Sequence, residues 1–385
     1  MKIAPFQTGP CTLRSMPFWC VGNPLSDPFG SAVLPRIDSL EVARLLAEAA
    51  RHNLIEATSF HDDDLVPWNP EHPDDDRDPA SETSKTLDAI KDILDKAGLS
   101  VNLASCCLHG HPMFRRGGLT NPDPAIRRLA RLKVERTIRI GHRFGARYLT
   151  YWVARDGFEV PAATDWKAAY DWLAEGLNHA REYIRRNRFT NYIGATIEPK
   201  PNEPRGHMFL PTAGHAVGFI QSRLRDPDFW GVNPELLQHE SMALMNGVLT
   251  VAYLVSCRKL AFLHFGSQIK AQFDNDFPPL VGPEGLKETV FIFHTLQRLG
   301  WKGVVEFDCH MLRTEGDPDD PIECRRRFIR HCVLALSLAL ELADRLEKAP
   351  MVPASETETD LLAQMALCGV SPKTIEARAR KQKRS

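Results

Sequence analysis

The chain has 385 residues, of which 43% are hydrophobic, so it can bury a core larger than that of one small domain. Its 48 basic and 49 acidic residues leave a formal net charge of −1, which gives no overall attraction to nucleic acid or to a membrane surface. The nine cysteines show no Cys-x-x-Cys spacing and no run approaches about 18 apolar residues, so we expect a reduced, cytoplasmic protein without a secretory leader or membrane span.

Helix-like and strand-like segments alternate along most of the chain. Amphipathic periodicity predicts helices at these positions: Ser39 to His52, Ser84 to Ala97, Pro124 to Phe144, Asp165 to Arg186, Thr212 to Arg223, His239 to Cys257, Gly285 to Leu299 and Pro321 to Glu347. Short apolar runs predict strands between them: Met16 to Cys20, Leu54 to Phe60, Val101 to Ala104, Tyr148 to Trp152, Tyr192 to Ile197, Trp230 to Val232, Leu260 to Leu263 and Val304 to Phe307. Strands that are each followed by a helix predict an α/β fold, the (β/α)8 or TIM barrel.

Two segments stand outside this alternation. The stretch from Asp62 to Thr83 is rich in aspartate and proline, which predicts a long loop after the second strand, either functional or solvated. Beyond residue 348, prolines precede a short amphipathic piece, Thr357 to Leu367, and a basic end, Arg378 to Arg384, which we interpret as a solvated terminus. We therefore predict a catalytic barrel domain over residues 1–347 and a short C-terminal arm over residues 348–385.

The segment from Ile197 to Gly206 has the most distinctive chemistry. It reads Ile-Glu-Pro-Lys-Pro-Asn-Glu-Pro-Arg-Gly and follows a predicted buried strand. Pro199 cannot donate to a sheet, so the strand ends where the side chains of Glu198 and Lys200 begin. Because sites in parallel barrels are built at the carboxyl ends of the strands, this segment predicts a ligand-binding cradle.

Acidic side chains and a histidine follow the last four predicted strands: Glu198, Glu235, His264 and Asp308. If the barrel closes, they meet at one opening, where the carboxylates repel one another and a divalent cation is the expected neutraliser. Asp274 and Asp276 could hold a second ion, with Glu235 bridging and His239 nearby. Each residue alone also fits a solvated strand end or turn, and only their common position favours an ion site.

His61 ends the second predicted strand, and Asp64 lies three residues later. In a turn, this carboxylate can accept the Nδ1 proton of the imidazole and fix the tautomer needed for acid–base catalysis, although a purely structural hydrogen bond is the alternative. Trp19 and Trp152 end the first and fourth predicted strands, so they either wall the same opening or pack in the core.

Together these stretches resemble the metal-dependent xylose isomerases, the sugar isomerases also called glucose isomerases. The strong matches are Phe60 to Asp64, Ile197 to Gly206, Gly231 to Glu235, His239-Glu240 and Phe273 to Asp276. Weaker matches are Asp27 to Gly30, His111 to Phe114, and Phe307-Asp308 followed by Arg313 to Glu315.

The resemblance implies a (β/α)8 barrel, usually a homotetramer, that uses two Mg2+, Mn2+ or Co2+ ions to interconvert D-xylose and D-xylulose, D-glucose and D-fructose, or related sugars. It implies that His61, oriented by Asp64, opens the sugar ring, that Lys200 stabilises charge on the substrate carbonyl, and that hydride moves between C1 and C2 in an apolar slot. The implied metal ligands are Glu198, Glu235, His239, His264, Asp274, Asp276 and Asp308. The implied substrate contacts are Trp19, Trp152, Ser105, His109 and Phe29, the last of which resembles an aromatic supplied by a neighbouring subunit.

The chain also departs from that pattern. His264 stands where the family has an aspartate, which favours Mn2+ or Co2+ over Mg2+ and resembles the sugar epimerase barrels that deprotonate carbon. One additional residue separates Glu235 from His239, and Gly266, His109 and His310 replace other residues of the family's site. The alternatives are therefore an epimerase, or an isomerase of a modified sugar, that works by proton transfer, and a non-enzymatic sugar-binding paralogue. Retention of His61, Asp64 and Lys200 argues against the paralogue.

Overall fold

Eight parallel strands form the centre of the computed structural model, which describes residues 13–24, 31–282, 285–312, 314–349 and 355–375. The strands are β1 (Leu13–Ser15), β2 (Ala57–His61), β3 (Ser100–Ser105), β4 (Tyr148–Trp152), β5 (Gly194–Glu198), β6 (Trp230–Val232), β7 (Leu263–Phe265) and β8 (Val304–Phe307). Their order is β6-β5-β4-β3-β2-β1-β8-β7. Two isolated parallel bridges, Val232 with Leu260 and Glu235 with His264, join β6 to β7 and close the ring. The predicted (β/α)8 barrel is confirmed.

Long helices pack around the barrel: Ser39–Arg51, Glu82–Lys96, Pro124–Phe144, Trp166–Arg186, Ala213–Arg223, Gly247–Ser256, Gly285–Arg298 and Pro321–Lys348. Short 3-10 turns lie at Asp75–Arg77, Pro112–Arg116, Pro161–Ala163 and Pro227–Phe229, and a two-stranded ribbon pairs Gly157–Phe158 with His207–Met208. Aspartates set several of the helix starts, since the carboxylates of Asp38, Asp123 and Asp165 each accept a backbone N–H from the first turn at 2.8 to 3.0 Å.

The first predicted strand, Met16 to Cys20, is wrong. β1 ends at Ser15, and Phe18–Gly22 is a short helix whose residues are all buried. Pro17 separates the two and has no N–H for a sheet. A short apolar run lacks a periodicity that distinguishes strand from helix, so the sequence pattern could not decide between them.

The predicted helix from His239 to Cys257 is two helices, His239–Met242 and Gly247–Ser256. Leu244 between them has a positive φ of 58°, which a continuous helix does not allow. Asn246 then caps the second helix, because its side chain accepts the backbone N–H of Leu249 at 3.0 Å. The break leaves His239 on a short turn beside the barrel mouth.

The predicted loop from Asp62 to Thr83 is wrong at its ends, which form the one-turn helix Asp62–Leu65 and the start of the helix Glu82–Lys96. This aspartate-rich segment is anchored to the barrel's outer helices. Asp62 is fully buried, and its carboxylate pairs with the equally buried Lys133. The same lysine ammonium lies 2.7 Å from the Asp63 carboxylate, and Arg139 binds Asp76 at 2.7 Å. Paired buried charges of this kind resist displacement, so the segment next to His61 is held in place.

The described part of the C-terminal region contains the helix Glu356–Leu367, which packs on the preceding helix through the buried Ala363. Asp360 on this helix lies 3.1 Å from the ammonium of Lys287. The division into a barrel over residues 1–347 and an arm over residues 348–385 stays a prediction. The basic end Arg378 to Arg384 lies outside the described residues. No helix within them is both long and apolar enough to cross a membrane.

Candidate active site

The carboxyl ends of the strands open into a cavity of about 500 Å3. It is lined by many of the residues that the sequence singled out: Trp19, His61, Asp64, Ser105, His109, Trp152, Glu198, Glu235, His239, Asp274, Asp276 and Asp308. Lys200 and His264 are buried directly behind this lining, as their contacts below show. Phe29 lies outside the described residues. A concave site with convergent polar groups at this end of the barrel is the usual place for binding and catalysis.

Glu198, Glu235, His264 and Asp308 form a compact group at the floor of the cavity, which we call the ion-binding group. One potential ligand atom from each of the four side chains lies within 4.8 Å of all the others. His264 is central, since its Nδ1 is 2.8 Å from Asp308 Oδ2 and 3.5 Å from Glu198 Oε2. Strand register explains the meeting, because Glu235 and His264 are lateral neighbours in the closed sheet.

The chemistry of this group fits a divalent cation. Burial raises the pKa of Glu235 well above its usual value, and the nearby Asp308 and Glu198 raise it further, so negative charge is in excess here. Among the described residues, Glu235 Oε2 and His264 Nδ1 are buried without a partner in hydrogen-bonding geometry, although Asp308 is close to the imidazole. Three carboxylates and one imidazole supply the oxygen and nitrogen ligands that a divalent ion accepts.

Glu306, which the sequence pattern did not single out, lies beneath this group. It is completely buried, and its Oε1 is 3.2 Å from His264 Nε2. Its Oε2 accepts hydrogen bonds from Ser15 Oγ at 2.7 Å, from Asn102 Nδ2 at 3.1 Å and from Ser59 Oγ. A glutamate in the middle of the otherwise apolar strand β8 was the signal that could have revealed it, because a buried carboxylate needs partners.

The side chains predicted to hold a second ion, Glu235, His239, Asp274 and Asp276, lie close together, but two of them have other polar partners, Asp274 with Lys200 and Asp276 with Gln238. Despite the additional residue in the spacing, His239 Nδ1 lies 3.2 Å from Glu235 Oε1, and its Nε2 lies 3.4 Å from Asp274 Oδ2. The Asp274 carboxylate is also paired with the ammonium of Lys200. Asp276 lines the cavity beside Asp274, and its Oδ1 also accepts from the Gln238 amide at 3.0 Å. Within the described part of the chain, only the first group meets the compact geometry of an ion site.

Gln238, one of the three residues between Glu235 and His239, has a fully buried side chain at the edge of the group. Besides contacting Asp276, its Nε2 donates to the backbone carbonyl of Asp308 at 2.5 Å. A Cβ on Gly266 would lie 2.8 Å from this amide and 2.6 Å from the same carbonyl, so only glycine fits there. Gln238, in the lengthened spacing, and Gly266 therefore belong to one packing arrangement.

His61 and Asp64 form the pair that their spacing suggested. The Asp64 carboxylate accepts the backbone N–H of His61 at 2.7 Å and lies 3.4 Å from its Nδ1. Burial alone would lower the pKa of His61, but the hydrogen bond and charge of Asp64, with the charges of Glu198 and Asp308, outweigh burial and raise it. The imidazole can therefore carry a proton at the cavity wall.

Aromatic rings line the cavity beside these groups. The Trp19 ring centroid is 4.7 Å from that of His61, and its Nε1 donates to Asp308 Oδ1 at 2.7 Å. His109 packs edge-on against Trp152 at 4.7 Å, and its pKa is lowered by burial and by the neighbouring His61. Trp152 also lies 5.4 Å from the Lys200 ammonium.

The remaining predicted wall residue is Ser105. It ends β3, and its buried hydroxyl has no hydrogen-bond partner among the described residues.

These features define a (β/α)8 barrel with an acidic, imidazole-containing group at its functional mouth. The chain belongs to the xylose isomerase-like TIM barrel family, whose model matches residues 46–332. The resemblance found in the sequence is thus confirmed. A xylose isomerase of Thermus thermophilus is 34% identical over 334 residues, covering 87% of this chain and 80% of the relative.

Solved structures with the same fold include two sugar epimerases. An L-ribulose 3-epimerase aligns with a TM-score of 0.59 and 16% identity, over 89% of this chain and all of that chain. The 3-keto-D-glucoside 4-epimerase of E. coli aligns with a TM-score of 0.56 and 14% identity, over 83% of this chain and all of that chain. At such identity these likenesses show the fold alone.

Proposed function

We propose that the protein is an enzyme, a metal-dependent aldose–ketose isomerase of the xylose isomerase type that acts on a free sugar such as D-xylose or D-glucose. The observation that carries this proposal is the convergence of three sets on one cavity: the ion-binding group, the pair His61–Asp64, and Lys200. The 34% identity to a xylose isomerase over most of the chain supports the same reading. Simple sugar binding would need neither the acid–base pair nor the buried lysine.

His61 would open the cyclic sugar by moving a proton between the anomeric hydroxyl and the ring oxygen. Asp64 keeps the imidazole oriented and raises its pKa, which favours a histidine that can donate as well as accept. The neighbouring Trp19 ring, 4.7 Å away, restricts the imidazole to the cavity wall.

Lys200 would stabilise negative charge that develops on the substrate carbonyl. Burial disfavours its ammonium form, yet Asp274 and Asp276 outweigh burial and raise its pKa, so the side chain stays charged. When bound to the ion-binding group, a divalent ion supplies Lewis-acid polarisation of the sugar oxygens. Trp19 and Trp152 would exclude water from the reacting carbons, which suits a hydride shift between C1 and C2.

A second candidate is an epimerase, or an isomerase of a modified sugar, that works by proton transfer. The observation that favours it is the composition of the ion-binding group, which contains His264 where the xylose isomerases have an acid. Glu198 and Asp308 both line the cavity, so either carboxylate could face a carbon-bound proton of a bound sugar.

Turnover in D2O distinguishes the two candidates. With Mn2+ and a panel of aldoses, a hydride shift leaves the product's carbon-bound hydrogen unexchanged, which proton NMR of the product would show. Deuterium incorporation at carbon would replace the first proposal by the second. If no sugar in the panel is converted with any of Mg2+, Mn2+ and Co2+, yet sugar binds to the chelated protein, both enzyme proposals fail and the binding paralogue remains.

We also propose two divalent ions in the working enzyme, the second held by Glu235, His239, Asp274 and Asp276. The contacts of His239 with Glu235 and Asp274 support this set. Metal analysis of the purified protein after dialysis against Mn2+ tests it, since two ions per chain are expected. One ion per chain would remove the second site.

Finally, we propose a cytoplasmic homo-oligomer, either a dimer or a tetramer. All cysteines within the described residues are free thiols, which suits a reducing compartment. The helix Gly247–Ser256 and the turn before it expose Leu244, Leu249 and Tyr253, an apolar patch of the kind that subunit interfaces cover. Light scattering on the purified protein would give the subunit number, and a monomer at micromolar concentration would contradict the assembly.

A further inference from the structure

Glu306 lies one layer below the ion-binding group, inside the barrel. Side chains alternate along extended backbone, so Glu306 in β8 and Asp308, the residue just after β8, face the same interior, and Asp308 N still pairs with the Phe265 carbonyl at 3.1 Å. Lateral register places Glu306 next to Ser15 of β1 on one side and next to His264 of β7 on the other. Neighbours in register share a face of the sheet, so the three side chains meet inside the ring.

The two oxygens of the Glu306 carboxylate have separate partners. Oε2 receives hydrogen bonds from Ser15 Oγ at 2.7 Å, Asn102 Nδ2 at 3.1 Å and Ser59 Oγ. Oε1 faces His264 Nε2 at 3.2 Å. Three neutral donors on one oxygen fix the plane of the carboxylate, and that plane aims the other oxygen at the imidazole.

The two nitrogens of the His264 ring also have separate neighbours. Nδ1 faces the acids of the ion-binding group, at 2.8 Å from Asp308 and 3.5 Å from Glu198. Nε2 faces Glu306 and the amide nitrogen of Asn233, which is 3.5 Å away and is itself a donor. Glu306 is therefore the acceptor available to a proton on Nε2.

We propose that Glu306 is a positioning residue: it accepts the Nε2–H of His264, fixes that tautomer, and so aims the Nδ1 lone pair at the divalent cation. The inference rests on the proposed ion site but not on the identity of the sugar reaction. Carboxylates that hold a ligating histidine in this way commonly affect metal affinity by about 10- to 100-fold. The role requires that both oxygens of Glu306 accept, one from the neutral donors and the other from Nε2–H of His264, and Glu306 is not one of the four residues of the ion-binding group.

The direct test is the Mn2+ affinity of Glu306→Gln, measured by calorimetry on the full chain after chelation. The amide has the same shape, but its NH2 group must face either the Nε2–H of His264 or the Asn102 donor, so the paired acceptors are lost and Kd should rise by about 10- to 100-fold. Asp156→Asn is the matched control, because Asp156 is an equally buried carboxylate held by neutral donors, Gly118 N at 2.9 Å and Tyr151 Oη at 2.6 Å, outside the cavity lining. It should leave Kd unchanged, and an unchanged Kd in a folded Glu306→Gln protein would overturn the proposal.

A double-variant cycle separates positioning from general stabilisation. In a His264→Asp background the ligand is a carboxylate, which has no tautomer to fix and is repelled by Glu306. Adding Glu306→Gln there should leave Mn2+ affinity unchanged or strengthen it, whereas a merely structural Glu306 would weaken affinity equally in both backgrounds. The second pattern would overturn the proposal.

The wild-type protein gives an independent readout if Glu306→Gln does not fold. Nitrogen-15 NMR of the histidines in the Zn2+-loaded protein should show His264 protonated on Nε2 with Nδ1 bound to the metal. The reverse tautomer would overturn the proposal. Neither measurement depends on turnover, so failure of the isomerase proposal and failure of this one can be told apart.

Discussion

Gln238 occupies the space that Gly266 leaves open beside the ion-binding group. A Cβ on residue 266 would lie only 2.8 Å from the Gln238 amide. This amide donates to the Asp308 carbonyl at 2.5 Å and to Asp276 at 3.0 Å. Gln238, which lies between Glu235 and His239, thus links the loops that follow β7 and β8.

Gly266→Ala should therefore destabilise the fold and weaken the ion site together. The added methyl clashes with the backbone carbonyl of Asp308 as well as with Gln238, so a free-energy loss of about 1–3 kcal/mol is expected in urea unfolding. Gly218→Ala is the control, since its Cβ would meet no atom within 4 Å and alanine favours the helix. Equal stability of the two variants would contradict the packing described for Gly266.

Glu235→Gln should abolish tight Mn2+ binding and turnover at the same time. Burial and the neighbouring acids raise the pKa of Glu235, so its charge is tolerated best when a cation is present. The same substitution should raise the melting temperature of the chelated protein, because it removes excess buried charge. Glu341→Gln, a change at an exposed position, is the control. Unchanged metal content in Glu235→Gln would remove Glu235 from the ligand set.

Most strands and helices of the barrel could be predicted from the sequence, because short apolar runs and amphipathic helices have different patterns of hydrophobic residues. The bounds of Tyr148–Trp152, Trp230–Val232 and Pro124–Phe144 agree with the structure residue for residue. The error at Met16 to Cys20 arose where an apolar run had no period. The helix break at Leu244 was missed although Asn246-Gly247, a pair typical of turns, follows it, because helical residue types continue on both sides.

Candidate site residues were found where a polar side chain follows a strand, which is a local pattern. The group of Glu198, Glu235, His264 and Asp308 is of this kind. Glu306 escaped because its role depends on the lateral register of β8 with β1 and β7, which no single stretch of sequence contains. The role of such a residue depends on contacts between segments that are far apart in the sequence.

His264→Asp should change the metal preference of the enzyme. Imidazole favours Mn2+ and Co2+, whereas an all-carboxylate set suits the harder Mg2+. Wild-type protein stripped with a chelator should thus regain more activity with Mn2+ than with Mg2+, and the variant should shift the ratio of the two Kd values toward Mg2+. Calorimetry with each ion measures this ratio. An unaltered ratio would place His264 outside the coordination sphere.

Asp64→Asn should lower the pKa of His61 toward its ordinary value. Because the folded pKa of His61 is raised, the stabilisation from this pair is fully present below the unfolded pKa of about 6.5 and is lost as pH rises through the folded pKa. In chelated protein, the wild type should exceed the variant in stability by the largest margin below about pH 6.5. NMR titration and urea unfolding at several pH values measure both effects. A margin that grows with pH would reverse the assigned sign.

Lys200→Met should lower kcat by about 10²-fold or more while sugar still binds, since the ammonium acts on charge that develops during the reaction. Methionine matches the length of lysine but leaves Asp274 without its cationic partner, so the Asp274 carboxylate becomes free to hold an ion with His239. Mn2+ affinity at the proposed second site should therefore stay the same or increase in this variant. Lys287→Met, which removes an exposed cation paired with Asp360, is the control and should leave both quantities unchanged. If Lys200→Met raised KM alone and left kcat intact, Lys200 would be a binding residue and not a stabiliser of the transition state.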